Sequence, residues 1–256
     1  MCLISLAWRA RPGLELFVAA NRDELHARPS APAAAWAEPG PNGAAVLGGR
    51  DLEAGGSWLA VTRPARAGER FRFAAVTNHR DGLAPKGGPS RGALVRDFVL
   101  SDEPARAYLE RRREDGFRAF NVLASDGDEL WSLADDGALV SIPPGVHALS
   151  NARVDEPWPK VRRACAALDA AMTLEHEPAL FEAAFAMLAD RAVAPDAELP
   201  DTNVGLELER ALSPLFIASP IYGTRCSTVV LATKDRVVLE ERSFDPQARE
   251  VGRARP

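Results

Sequence analysis

The chain has 256 residues, of which 46 % are hydrophobic and 26 % charged, and carries a formal net charge of −5. That composition supports a buried core, and the acidic balance argues against nucleic acid or an anionic membrane surface as partner. Three widely spaced cysteines without a CxxC pair, an apolar opening that ends at Arg9, and no stretch of membrane-spanning length predict a cytoplasmic protein, one domain over residues 1–256, with no membrane insertion.

From Cys2 to Trp8 the side chains alternate, Pro12-Gly13 marks a turn, and Leu14 to Ala20 is a second apolar run. Together they predict a hairpin. NRDEL at 21–25 is too polar to continue a buried strand, and residues 29–45, rich in Pro, Ala and Gly, read as an irregular loop. Strands are expected at 45–51, 57–62 and 71–78, then a glycine- and proline-rich loop over 79–92. Ser90 is placed to cap a helix over 91–100, and a second helix fits 103–114. Short strands fill 117–151. Val161, Cys165, Leu168 and Met172 keep helical spacing, with Pro157 and Pro159 confined to the first turn. Helices over 178–190 and near 206–215 precede a final hairpin turning at Lys234-Asp235, and the tail from about residue 246 reads as loose. Strands joined by short turns and separated by helices predict an α+β fold with largely antiparallel sheets.

Cys2 directly follows the initiator methionine. A small second residue favours removal of that methionine, and the new terminus would carry a thiol and an α-amine on one residue. With reference values of ~8 for the amine and ~8.5 for the thiol, the amine can take the thiol proton, so one residue supplies nucleophile and base. Equally, Cys2 reads as a buried strand cysteine. The predicted hairpin brings residues 20–23 beside Cys2, so Asp23 can hold its α-amine, although NRDEL also reads as a cap or turn network. Asn78 and Asn151 end strands, where a carboxamide can donate to an oxyanion or simply form a turn. Arg225 opens the last hairpin beside Cys226, where a cation lowers a thiol's proton affinity. The four histidines show no metal spacing, no HExxH or phosphate-binding GxGxxG occurs, and Cys165 falls on an apolar helix face. Trp36, Trp58 and Trp158 read as core or pocket lining.

The opening MC strand, AANRDELHARPSAPAAAW, GGRDLEAGGSWLAVT, RFAAVTNHRD, PSRGALV, LSNARVDEPWPKV and TRCSTVVL together resemble the NRDE-motif family, that of transport and Golgi organisation protein 2 and its bacterial relatives. Members of that family are associated with lipid metabolism, membrane trafficking and haem handling. More distantly, the order of Cys2, N-x-D at 21–23, two strand-end asparagines and an arginine before the last hairpin is similar to the choloylglycine hydrolase and penicillin V acylase group. The resemblance implies a four-layer αββα sandwich of the N-terminal nucleophile (Ntn) hydrolase type. It implies Cys2 as nucleophile, Asp23 as the residue orienting its amine, Asn78 and Asn151 as oxyanion or amine contacts, and Arg225 as the site cation. Asn21 and Arg22 are implied as binding residues; that group has an arginine immediately before N-x-D, where this chain has Ala20, and Arg22 stands in for that charge. The expectation is a cysteine amidohydrolase or acyltransferase acting on a small amide or acyl compound, without a cofactor. The alternative is a non-catalytic carrier that takes haem or a lipid-like molecule as ligand in the same cleft.

Overall fold

Two antiparallel sheets dominate the computed structural model, which describes residues 2–82 and 88–256. Strands are numbered along the chain. The first sheet contains β1 (Cys2–Trp8), β2 (Leu16–Leu25), β10 (Gly145–Leu149), β11 (Tyr222–Ala232), β12 (Val237–Phe244) and β13 (Glu250–Ala254), in the order β10-β1-β2-β11-β12-β13. The second holds β3 (Ser30–Ala35), β4 (Ala45–Asp51), β5 (Leu59–Arg63), β6 (Phe73–Asn78), β7 (Phe120–Ser125), β8 (Leu130–Ala134) and β9 (Leu139–Ser141), side by side in chain order. The helices are α1 (Gly92–Leu100), α2 (Ala105–Arg112), α3 (Pro159–Ala171), α4 (Glu177–Leu188) and α5 (Leu206–Leu212). Among the described residues no helix is long and apolar enough to cross a membrane.

The alternation of β1 explains its place. Ile4, Leu6 and Trp8 join Leu59, Phe73 and Leu123 of the second sheet in one apolar cluster, so the two sheets face each other through it. Leu3 and Ala7 point the opposite way, into a cluster with Ala164 and Leu168 of α3 and Phe181 and Phe185 of α4. A third cluster packs Val46, Ala74 and Val122 against Leu94 and Phe98 of α1 and Tyr108 of α2. Period-two alternation with both faces apolar is the pattern of a strand covered on both sides.

Several sequence expectations need correction. NRDEL does not end the second strand: β2 runs through it to Leu25. Polarity is tolerated there because β11 pairs with β2 through Leu25 and β1 pairs with it as far as Arg22, while its polar side chains find the partners described below. The stretch 29–45 contains β3, antiparallel to β4, rather than loop alone. Ser90 makes no cap; α1 begins after Arg91 with no side-chain capping bond. The tail is not loose, since Glu250–Ala254 pairs with β12. Part of the expected 79–92 loop, residues 83–87, lies outside the described residues.

Candidate functional site

Strand register assembles the site. Cys2 pairs with Arg22, and Arg22 pairs on its other edge with Cys226. Directly opposed residues share a face, and Cys2 and Cys226 belong to the cluster between the sheets. The next residue along, Asp23, therefore faces the helices. A register shift between Thr224 and Cys226 leaves Arg225 as the extra residue of a β-bulge. The bulge lets Thr224 oppose Asp23 while Cys226 still opposes Arg22.

The polar side chains of β2 are deeply buried: Asn21 is 0 %, Arg22 6 % and Asp23 1 % exposed. Asn21 Nδ2 donates to the carbonyls of Leu188 and Leu215, each at 2.8 Å, and its Oδ1 accepts from Ser227 Oγ at 2.6 Å. Asn21 thus ties the sheet to the end of α4 and the chain after α5. Asp23 Oδ1 accepts from Thr224 Oγ1 at 2.6 Å, and the Tyr222 hydroxyl donates to the Asp23 backbone carbonyl at 3.0 Å. Arg22 Nη2 sits 3.7 Å from Glu24, and its Nη1 is buried without a hydrogen-bond partner among the described residues.

A cavity of about 1170 Å³ opens between the sheets, lined among others by Cys2, Arg22, Asp23, Asn78, Arg91 and Arg225. Asn78, at the end of β6, lines the cavity, and among the described residues its amide has no hydrogen-bond partner. Asn151 does not line that cavity. Its Nδ2 donates to the Asn78 carbonyl at 2.8 Å and its own carbonyl accepts from Arg80 N at 2.7 Å, so it holds the end of β6 in place. Arg225 lines the cavity while its Nη1 reaches the carbonyls of Leu25, His26 and Arg28, each at 3.1 Å. One wall rests on a glycine contact: a Cβ on Gly56 would lie 2.4 Å from the Gly92 carbonyl carbon, at the start of α1.

Burial dominates the electrostatics. It pushes the Cys2 thiol above its ordinary value, so the resting thiol is protonated near neutrality. It pushes the Asp23 carboxyl up as well, opposed by the Lys160 charge and the Thr224 hydrogen bond. Lys160, at the start of α3, is pushed down to about 8 by burial, opposed by the charge of Asp23. Cys226 is raised further, by burial and then by Glu241.

The family model described as Transport and Golgi organisation 2 matches residues 1–246. The chain belongs to that family. It is similar to the Transport and Golgi organization protein 2 homologs of Bos taurus, at 31 % identity, and Homo sapiens, at 30 %, each alignment covering 95 % of this chain and 93 % of the relative. It is also similar to Transport and Golgi organization protein 2 of Drosophila melanogaster, at 29 % identity over 92 % of this chain and 89 % of that protein.

The NRDE motif of this family member lies wholly within β2, with Asn21 and Asp23 facing the helices and Arg22 facing the cavity. Sequence reasoning missed two residues here. Lys160 is 2 % exposed and takes the inward position four residues before Ala164 and eight before Leu168. A lysine on an otherwise apolar helical stripe was the available signal. Arg91 lines the cavity and is attracted by the charge of Glu24; it lies within the PSRGALV stretch, but nothing there singled it out from its neighbours. Among the described residues no cluster of three or more His, Cys, Asp or Glu could hold a metal ion.

Proposed function

We propose that the chain forms a single αββα sandwich of the Ntn type and acts as an N-terminal-cysteine amidohydrolase or acyltransferase on a small amide or acyl compound. The observation that carries this reading is that Cys2, the first described residue of β1, lines one cavity together with Asp23 and Asn78. The protonated, buried thiol needs a base, and loss of Met1, a residue outside those described, would supply the α-amine of Cys2 for that role. The amine takes the thiol proton and Sγ attacks the substrate carbonyl carbon. Asn78 donates to the oxyanion. Collapse breaks the C–N bond, the α-ammonium returns the proton to the leaving amine, and a thioester remains. Water, or an acceptor amine in the transferase case, then attacks the thioester, releases the acyl group and restores the thiol. Asp23 orients the amine, Asn151 steadies Asn78, Arg22 contacts the substrate, and Arg225 holds the turn at the cavity rim.

The test is turnover of an amide panel by protein whose N-terminal peptide mass shows Met1 removed. Cys2→Ala and Cys2→Ser are expected to abolish turnover with the fold intact; unchanged turnover in Cys2→Ala ends the hypothesis. The cavity volume, above the ~300–1,000 Å³ of ordinary small-molecule sites, favours a second reading as a carrier of haem or a lipid-like ligand. A stoichiometric Soret shift on haem titration, with no hydrolysis of the panel, would select it.

A further inference from the structure

The mechanism above leaves one buried cation without a task. Lys160 is the second residue of α3, behind Pro159, and its side chain is turned into the protein along with Val161, Ala164 and Leu168. Its Nζ is buried and, among the described residues, has no hydrogen-bond partner. A lysine with an unpartnered ammonium group in the interior is expensive to keep, so its location calls for an electrostatic reason. Asp23 acts on it most strongly in favour of the charged form, while Arg80 and Arg163 repel it. Asp23 in turn is pulled toward its ionised form by Lys160 more than by any other group.

The layers explain how these groups meet. Asp23 shares the helix-facing side of β2 with Asn21, whose partners lie at the end of α4 and after α5. Helix α3 packs on β1 and β10 over the same side. Lys160 and Asp23 therefore sit behind the start of β1, and the Cys2 thiol sits in front of it. Asp23 also lines the cavity that Cys2 lines, so it is the group that links the two sides.

We propose that Lys160 is a positioning residue of the Cys2 site: its ammonium group offsets the charge of Asp23, so that the carboxylate orients the Cys2 α-amine without raising that amine's affinity for a proton. This rests on the reading above that Cys2 becomes the N-terminal residue. A fixed positive charge disfavours the protonated form of a neighbouring amine, so the amine is available as a free base at neutral pH. Lys160 itself, with its value near 8, remains mostly protonated at pH 7. The other groups acting on this region are Arg22 on β2, Tyr222 on β11, Arg80 after β6, Arg91 before α1 and Arg163 on α3.

The experiment titrates the amine directly. Protein with Met1 removed and Cys2 replaced by serine, which leaves no thiol to trap formaldehyde as a thiazolidine, is the parent; it is pulse-labelled with formaldehyde and cyanoborohydride across pH 5–10, and methylation of the residue-2 α-amine is read by mass spectrometry of the N-terminal peptide. Lys160→Met, similar in length and uncharged, is expected to move the midpoint up by about one pH unit, so that roughly tenfold less free amine is present at neutral pH. Lys160→Arg is expected to stay within ~0.3 unit of the parent. A Lys160→Met midpoint unchanged from the parent overturns the proposal, as does a shift of equal size in Lys160→Arg. Where the methionine variant does not fold, by its circular dichroism, Lys160→Gln carries the same two outcomes. No substrate is needed, so this result is independent of whether Cys2→Ala loses turnover.

Discussion

Replacing Gly56 by alanine tests whether the GGSW stretch is a packing device for the cavity wall. A Cβ there would fall 2.4 Å from the carbonyl carbon, 2.6 Å from the oxygen and 2.8 Å from the Cα of Gly92. Carbon atoms meet comfortably at ~3.5–4.0 Å, so one backbone must retreat by about an ångström. The obstruction is backbone rather than the end of a flexible side chain, and Ser57 N donates to the Gly92 carbonyl at 3.1 Å, which ties the two segments together. Overpacking of this kind costs about 1–3 kcal/mol, and the rigid neighbour places this case toward the upper end. For a chain of this size each kcal/mol lowers the melting temperature by about 2–4 °C. The assay is thermal and urea unfolding of Gly56→Ala beside Gly252→Ala, where a Cβ meets nothing within 4 Å. Gly252→Ala is expected to stay within ~0.5 kcal/mol of the parent. A Gly56→Ala protein as stable as that control would refute the close-approach argument. A retreat of α1 would also move Arg91 on the cavity wall, so ligand affinity should fall together with stability.

Two further predictions concern the rim and the loop after β10. Arg225→Met removes the donor to three carbonyls of the 25–28 turn; a loss of about 1–2 kcal/mol in urea unfolding, with faster proteolysis in that turn, is expected. His147 donates from Nδ1 to Asp155 at 2.6 Å, and that hydrogen bond raises its affinity for a proton above the ordinary 6.5. The stabilisation is therefore full below pH 6.5 and is lost as pH rises through the raised folded-state value. His147→Gln should flatten that slope in urea midpoints measured from pH 5.5 to 8.5.

The hairpin of β1 and β2 was legible because alternation and a Pro-Gly turn are local signals, and its register brought Cys2 and Arg22 together as the chain spacing implied. The run of polar residues was not legible as strand. What makes NRDEL buried strand is distant: carbonyls of Leu188 and Leu215 for Asn21, and Thr224 for Asp23. The tail failed for the same reason, since its order comes from β12 rather than from its own charged composition. β3, built of SAPAAA, carries little strand propensity and exists because β4 offers it an edge. Lys160 was hidden by its type, because a charged residue in a first helical turn ordinarily faces water.

The position of β1 has a consequence for how the molecule is made. It leaves the ribosome before both of its neighbours, β2, a few residues behind it, and β10, whose Leu149 pairs with Ile4. At ~5–20 residues per second, roughly 7 to 28 seconds of synthesis separate the strand from its second partner. The first hairpin then waits longer still for β11 to cover the other edge of β2. Through that interval an apolar two-stranded ribbon is exposed on both faces, too small to be stable by itself. Nascent chains halted before β10 should accordingly be bound by holding chaperones, and the terminus bearing the candidate nucleophile should become protected among the last steps of folding.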